Sequence, residues 1–251
     1  GYYRPMAFHK TKIGLDANGK ILRWDHRIAT KSISKGTDFE KFLVHNGGVH
    51  FSVEGCVDTL YQLPNMSVGL SDFKSSIPVL WWRGVGHTHT AYAMESLLDM
   101  LAQRTGKDPI ELRLDLLNSN DLKQQRMANV LKISRSRSGW NKGNKRGFAA
   151  HCSYKTFVAV VADVSATGKQ VHIDKLHITV DCGVYVNPDV IRAQMEGGAG
   201  YGLGALLRNE ITFAKSHFEQ SNFDIYLPLR ISDMPEIDFE IVMANENPSG
   251  V

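Results

Sequence analysis

Five of the eight residues from Gly197 to Gly204 are glycine, and this run constrains the fold more than any other stretch of the chain. It follows Asn187-Pro188, a capping side chain and a proline suited to the first helical position, which together signal a helix start. Inside a helix each glycine costs roughly 1 kcal/mol relative to alanine, so a few kcal/mol of intrinsic propensity is given up here. Two explanations stand open. Missing side chains let a backbone come close to a bulky ligand, with amide donors near a helix start to receive its phosphates. Alternatively, Gly200 and Gly204 form a smooth face on which a helix packs against a sheet. Gln194 favours the first, because its amide both donates and accepts, as recognition of a polar heterocycle requires.

The chain has 251 residues, 43% hydrophobic and 22% charged, enough for one large core or two modest ones. No apolar run approaches the roughly 18 to 20 residues of a membrane helix, so no membrane span is expected. The first residue is Gly1 rather than Met, which reads as a processed or excised end with any targeting segment upstream. Cys56, Cys152 and Cys182 are three and far apart. They form no disulfide framework, and they are too few for an iron–sulfur cluster, which takes about four cysteines. Electrons leaving such a protein would be carried by another chain or domain.

A net charge of +3 is too small to imply a nucleic-acid partner. The exception is the stretch 132–146, where Lys132, Arg135, Arg137, Lys142, Lys145 and Arg146 alternate with Ser, Gly and Asn. Trp140 is its one aromatic residue, so base stacking has little to use. The composition reads as a solvated linker, dividing the chain into 1–131 and 147–251.

These two parts have loosely similar organisation. Lys10 to Asp16 and Lys20 to Ala29 flank Ala17-Asn18-Gly19, a hairpin signal because Asn and Gly tolerate positive φ. Thr156 to Ser165 and Gln170 to Val180 flank Ala166-Thr167-Gly168-Lys169 in the same way. Ala91, Met94, Leu98 and Leu101 share one helical face, with Gly106 placed for a left-handed cap. A second helix starts at Asp108-Pro109, with Glu111 completing a capping box. The expected architecture is α+β, with antiparallel ribbons and helices packed on them.

Trp81-Trp82-Arg83-Gly84-Val85-Gly86 lies immediately before the Ala91 helix. Two glycines around Val85 make a sharp turn, and Arg83 is a permanent cation able to grip an anion at a helix N-terminus. A surface turn with a paired arginine would look the same. His87 and His89 are two apart, unlike helical metal-ligand spacing, and read as caps or surface groups; no metal is assigned to them. His151-Cys152-Ser153 is a poor catalytic pair, because strand neighbours face opposite ways. Asp181 and Cys182 could ligate a metal, although a buried cysteine is more often a small core residue. Arg230, between Pro228 and Pro235, is placed to meet a phosphate; a solvated or salt-bridged arginine is the plainer alternative.

Three stretches stand in an order and separation of their own: Trp82-Arg83-Gly84-Val85-Gly86, Asp181-Cys182-Gly183 with Asn187-Pro188, and Gln194-Met195-Glu196-Gly197-Gly198 with Gly202-Leu203-Gly204. In these the chain resembles the large, molybdenum-binding subunit of the xanthine dehydrogenase and aldehyde oxidase family. The likeness runs from Gly1-Tyr2-Tyr3-Arg4-Pro5 onward. It is strongest to the isoquinoline oxidoreductase and membrane-associated aldehyde dehydrogenase branch, through Val79-Leu80-Trp81-Trp82-Arg83, Gly106-Lys107-Asp108-Pro109 and Arg192 to Gly198. Val85 departs from the aromatic residue that many relatives carry in the turn.

The resemblance implies a molybdenum-cofactor-binding fold in two related halves. It implies a molybdopterin-type cofactor, a cytosine dinucleotide in bacteria, held by Arg83, Gly84, Val85, Gly86, Gln194, Gly197, Gly198 and Arg230. The implied reaction is hydroxylation of an N-heterocycle or oxidation of an aldehyde, with water as oxygen source and a separate two-iron two-sulfur subunit as electron acceptor. A bacterial periplasm or cytoplasm would both suit it. Gly250-Val251 would open the family's Gly-x-Gly-Glu loop, which puts the catalytic glutamate just after Val251. The family's Gly-Gly-x-Phe-Gly loop would lie before Gly1. This chain would then be a fragment that supplies cofactor walls but no catalytic base, inactive and without cofactor on its own. The contrasting reading is a non-catalytic binding or assembly module that retains the fold.

Overall fold

The computed structural model describes residues 2–45, 48–117, 120–141, 145–168 and 170–250. Gly1, Lys142, Lys169 and Val251, to which parts of the sequence reading refer, lie outside the described residues.

Strands β1 (Ala7–Leu15) and β2 (Ile21–Thr30) run antiparallel, from Ala7 opposite Thr30 to Leu15 opposite Ile21. Asp16 closes the loop between them: its Oδ1 accepts the backbone N–H groups of Asn18 and Lys20 at 2.9 and 2.8 Å. Of the Asn18-Gly19 pair only Gly19 is left-handed, at φ +79°, because Asp16 and not a two-residue turn shapes the connection. A short helix α1 (Glu40–Leu43) and the two-residue strands β3 (Val44–His45) and β4 (Gly48–Val49) follow. Strand β5 (Met66–Asp72) then lies parallel to β2.

Three helices come next. Helix α2 (His87–Thr105) ends at Gly106, held at φ +73° as a left-handed cap. Met94, Leu98 and Leu101 of its expected apolar face are buried, while Ala91 is half-buried. Helix α3 (Pro109–Asp115) starts where the caps predict, with the Asp108 carboxylate accepting the N–H groups of Ile110 and Glu111. The Glu111 side chain is paired with Arg135. Helix α4 (Leu122–Ser138) ends at left-handed Gly139.

Helix α4 corrects the linker expected at 132–146. Lys132, Arg135 and Arg137 sit on its last turns, and Arg146 begins the next strand. The serines that made this stretch look like a loop are what fit it to the sheet: Ser134 and Ser138 are buried beside Val130 and Leu131, where α4 packs on β7 and β8. Arg137 pairs with Asp238 at 3.1 Å, and Arg146 pairs with Asp163.

Strands β6 (Arg146–Ser153), β7 (Thr156–Thr167) and β8 (Gln170–Asp181) are antiparallel neighbours. Helix α5 (Pro188–Leu207) and the small strands β9 (Phe213–Ala214) and β10 (His217–Phe218) lead to β11 (Glu236–Ile241), which lies parallel to β8. Each part thus builds an antiparallel ribbon and then adds a parallel edge strand. The parallel strands went unread because such pairing is made by a long crossover, which carries no local signature. One core joins the parts: Trp24 and Ile28 from β2, Met94 and Leu98 from α2, Leu131 from α4, and Phe157 and Val161 from β7. Each fully buried side chain of this size contributes about 1.5–3 kcal/mol.

Candidate functional site

The Arg83 turn is held from three sides. Trp82 O accepts the Val85 N–H at 2.9 Å, the Thr88 hydroxyl donates to Arg83 O at 2.7 Å, and Glu54 Oε1 accepts the Gly86 N–H at 2.8 Å. These contacts hold Val85, a β-branched residue, at φ +49°, a conformation that costs on the order of 1–3 kcal/mol and tends to occur at functional sites. Gly84 has φ +84°. Gly86 is buried, its N–H is taken by Glu54, and its carbonyl accepts the N–H groups of His89 and Thr90. It therefore serves the shape of the turn and has no polar group left for a ligand. A Cβ on Gly86 would stand 2.1 Å from Phe51 O. Gly86→Ala is expected to cost about 1–3 kcal/mol through overpacking, seen as a lowered midpoint in urea unfolding; an unchanged midpoint would show that the turn yields freely.

In α5 the glycines divide between the two explanations. A Cβ on Gly200 would meet Met234 Sδ at 3.1 Å, and one on Gly204 would meet Asn209 and Leu229, so these two form the packing face. A Cβ on Gly197, Gly198 or Gly202 would find nothing within 4 Å. The amide-donor role proposed for this run does not hold. The glycines lie in the helix interior, where N–H groups are used by the helix itself; only Asn187, which accepts the Asp189 N–H at 2.9 Å, marks a start.

Gly197 and Gly198 stand three and four residues beyond Gln194, and Tyr201 stands four and three beyond them, the spacing of a single helical face. Gln194 and both glycines are exposed, and the face ends at Tyr201. There the Arg83 guanidinium lies over the Tyr201 ring at 4.8 Å, with the Trp82 ring 5.4 Å away and Arg4 6.0 Å from the Trp82 centroid. Burial pushes the Tyr201 phenol up, and Arg83 pulls it down. The turn thus meets α5 two helical turns beyond Gln194 and not at Gln194 itself. Arg230 is exposed, and its N–H donates to Asp233 at 3.1 Å; a Cβ on Gly204 would stand 3.7 Å from its neighbour Leu229.

Other candidates found structural partners. Asp181 is held by Arg126 in a two-point ion pair at 2.8 and 2.6 Å, and Cys182 is buried, its thiol pushed up by burial. His87 and His89 are not surface groups. His87 Nδ1 lies 2.8 Å from His151 Nε2, and His89 Nδ1 lies 2.9 Å from His9 Nε2. Among the described residues no group of three or more His, Cys, Asp or Glu side chains could hold a metal ion. The end of the chain is anchored beside the turn. Ser249 N–H donates to Cys182 O and Gly250 N–H to Tyr154 O, and the Tyr154 ring is 5.8 Å from that of His87.

The chain matches two molybdopterin cofactor-binding domain profiles, over residues 2–117 and 92–235. It is 30% identical over 200 residues to isoquinoline 1-oxidoreductase subunit beta of Brevundimonas diminuta, covering 76% of this chain and 25% of that protein. It is 27% identical to the membrane-bound aldehyde dehydrogenase [pyrroloquinoline-quinone] of Gluconacetobacter polyoxogenes, covering 99% of this chain and 36% of that protein. The chain therefore spans between a quarter and about a third of these curated relatives. Its fold matches the crystal structure of quinoline 2-oxidoreductase from Pseudomonas putida 86 with a TM-score of 0.76 at 10% identity, over 96% of this chain and 56% of that one. Among the described residues no helix is long and apolar enough to cross a membrane. With one profile covering more than half of its length, the chain belongs to the molybdopterin cofactor-binding domain family of the xanthine dehydrogenase and aldehyde oxidoreductase proteins.

Proposed function

We propose that this chain forms one wall of a molybdenum cofactor site in a hydroxylase large subunit that oxidises an N-heterocycle or an aldehyde. The observation that carries this is the Arg83 guanidinium over the Tyr201 ring, which joins the strained turn to the open face of α5. The residues fit a phosphate-bearing pterin. Gly197, Gly198 and Gly202 leave space where side chains would stand, Arg83 and Arg4 bring positive charge, and Gln194 offers both hydrogen-bond senses. When bound, such a group supplies a two-electron oxidation that takes its oxygen from water. The chain's own part is to bind and orient. The turn fixes backbone and cation in one geometry, and the bare helix face lets a flat heterocycle lie close.

The cytosine dinucleotide form, the separate two-iron two-sulfur partner and a phosphate role for Arg230 belong to the same proposal, as does a catalytic glutamate after Val251. Gly250, pinned at Tyr154, would deliver that acid beside the turn. The 251-residue chain alone is expected to be inactive, since the rest of the site's walls would be missing. Elemental analysis of the large subunit carrying this sequence, purified with its partners, is expected to give one molybdenum per chain. A metal-free subunit that still assembles would make it a non-catalytic module.

A further inference from the structure

Strands β1 and β2 with parallel β5 repeat the order of β7 and β8 with parallel β11. The second sheet has one strand more, because β6 lies antiparallel to β7 on the side away from β8. Among the described residues no strand takes the corresponding place beside β1. The residues just before β1 do not fill it, since Tyr3 bridges Val79 instead. In an antiparallel pair every second residue turns its N–H and C=O away from the partner strand, so β1 presents an unpaired edge, a ready template for another strand. The face beside that edge is basic. Lys10 and Lys12 of β1 and Arg23 and Arg27 of β2 are exposed on it, with Asp25 as the one carboxylate among them. Their surplus of three positive charges equals the net charge of the whole chain, so the excess is gathered on this face. Asp25 is already taken, by Arg27 at 3.0 Å and the Ser67 hydroxyl at 2.9 Å. Lys10 stands opposite Arg27 in the ribbon, a like-charge pair that is unfavourable until an anion joins it.

We propose that the β1 edge is a docking site for an extended acidic segment of a partner protein, which adds as a strand beside β1 with carboxylate and apolar side chains in alternation. Backbone hydrogen bonds hold such a strand, and its side chains set which sequence is accepted. Its carboxylates meet Lys10 and Lys12 on the open face. Its apolar side chains then fall on the opposite face, beside half-buried Ala7, Thr11 and Ile13. A second copy of β1 is rejected, because lysines would stand beside lysines. Phe8 is the one aromatic residue of the open face, so a nucleic-acid strand would find charge without a stacking platform. None of the residues assigned to the cofactor wall takes part, so this site holds or fails independently of the molybdenum reading.

The probe is a blocked octapeptide of four Glu-Val repeats, titrated at constant ionic strength into the 15N-labelled 251-residue chain, with amide hydrogen exchange read residue by residue. The expected result is saturable binding, with exchange at alternate β1 amides slowed by about tenfold or more. The peptide of four Lys-Val repeats should bind the wild-type chain about tenfold more weakly or worse, and the Lys10→Glu, Lys12→Glu double variant should reverse that preference. Both substitutions are at exposed positions. Unchanged exchange along β1, equal binding of the Lys-Val peptide to the wild-type chain, equal binding of a peptide with its four Glu and four Val in separate blocks, or tighter binding of oligouridylate than of the Glu-Val peptide overturns the assignment.

Discussion

Arg113→Met is expected to destabilise the chain by about 3–5 kcal/mol, the cost of breaking a buried ion pair from one side. Arg113 is 0% exposed, 2.9 Å from Glu95 and 2.8 Å from Asp99, with its guanidinium over the Phe148 ring at 5.3 Å. Glu95 also accepts the Tyr61 O–H at 2.9 Å and the Ala150 N–H at 2.7 Å. This carboxylate therefore ties α2, whose start carries the Arg83 turn, to β6. Burial already pushes Glu95 above the usual carboxylate range, against the pull of Arg113. Without the cation it rises further, so the folded variant binds a proton that the unfolded chain does not. Its deficit should shrink as pH falls from 7 toward the unfolded value of about 4.3. Urea unfolding at pH 7 and pH 5 checks both effects, and Arg113→Met with Glu95→Gln should recover part of the loss. A deficit below about 1 kcal/mol at pH 7 would mean that the pair is dispensable.

Acid should unfold the wild-type chain in a window set by histidine. His26, His89 and His151 are each held down at about 4, first by burial and then by a neighbouring imidazole, His9 for the first two and His87 for the third. The unfolded chain takes up these protons near pH 6.5 and the folded chain near 4, so stability is present above the window and lost as pH falls through it. One imidazole shifted this far accounts for about 3 kcal/mol between pH 7 and pH 4. His9, His26 and His89 share one hydrogen-bonded chain and take up their protons in coupled steps, so the loss belongs to the set and exceeds that of a single imidazole. His151→Gln keeps a hydrogen-bonding group toward His87 and should flatten the slope between pH 6.5 and 4. An identical slope in that variant would show that His151 takes no part in the acid loss.

The parts of this fold that were legible in the sequence are those written in neighbouring residues. Asp108-Pro109 and Asn187-Pro188 start helices because a side chain caps the N–H groups directly after it. Gly106 ends α2 because a left-handed residue is needed there. The last turns of α4 were lost because their inward face is partly Ser134 and Ser138, small polar residues that read as loop. The Arg83 turn was visible as a motif, but not what completes it. Glu54 and Tyr201 lie 32 and 118 positions from their partners Gly86 and Arg83, and only the fold brings them near. His87 and His89 were misread for a related reason. Two residues apart on a helix is about 200° of rotation, so one reaches His151 on β6 and the other His9 on β1. Tyr201 did leave a signal, standing seven residues after Gln194 on the same helical face.

That the open face of α5 carries the cofactor is tested most directly by molybdenum content in Gly198→Leu, measured in the large subunit purified with its partners. A Cβ at Gly198 meets nothing within 4 Å, so leucine should leave the 251-residue chain folded and its helix slightly more stable. The same side chain would stand where the cofactor lies, and molybdenum per subunit is expected to fall by about tenfold or more. Full molybdenum occupancy with leucine at 198 would contradict a cofactor on this face.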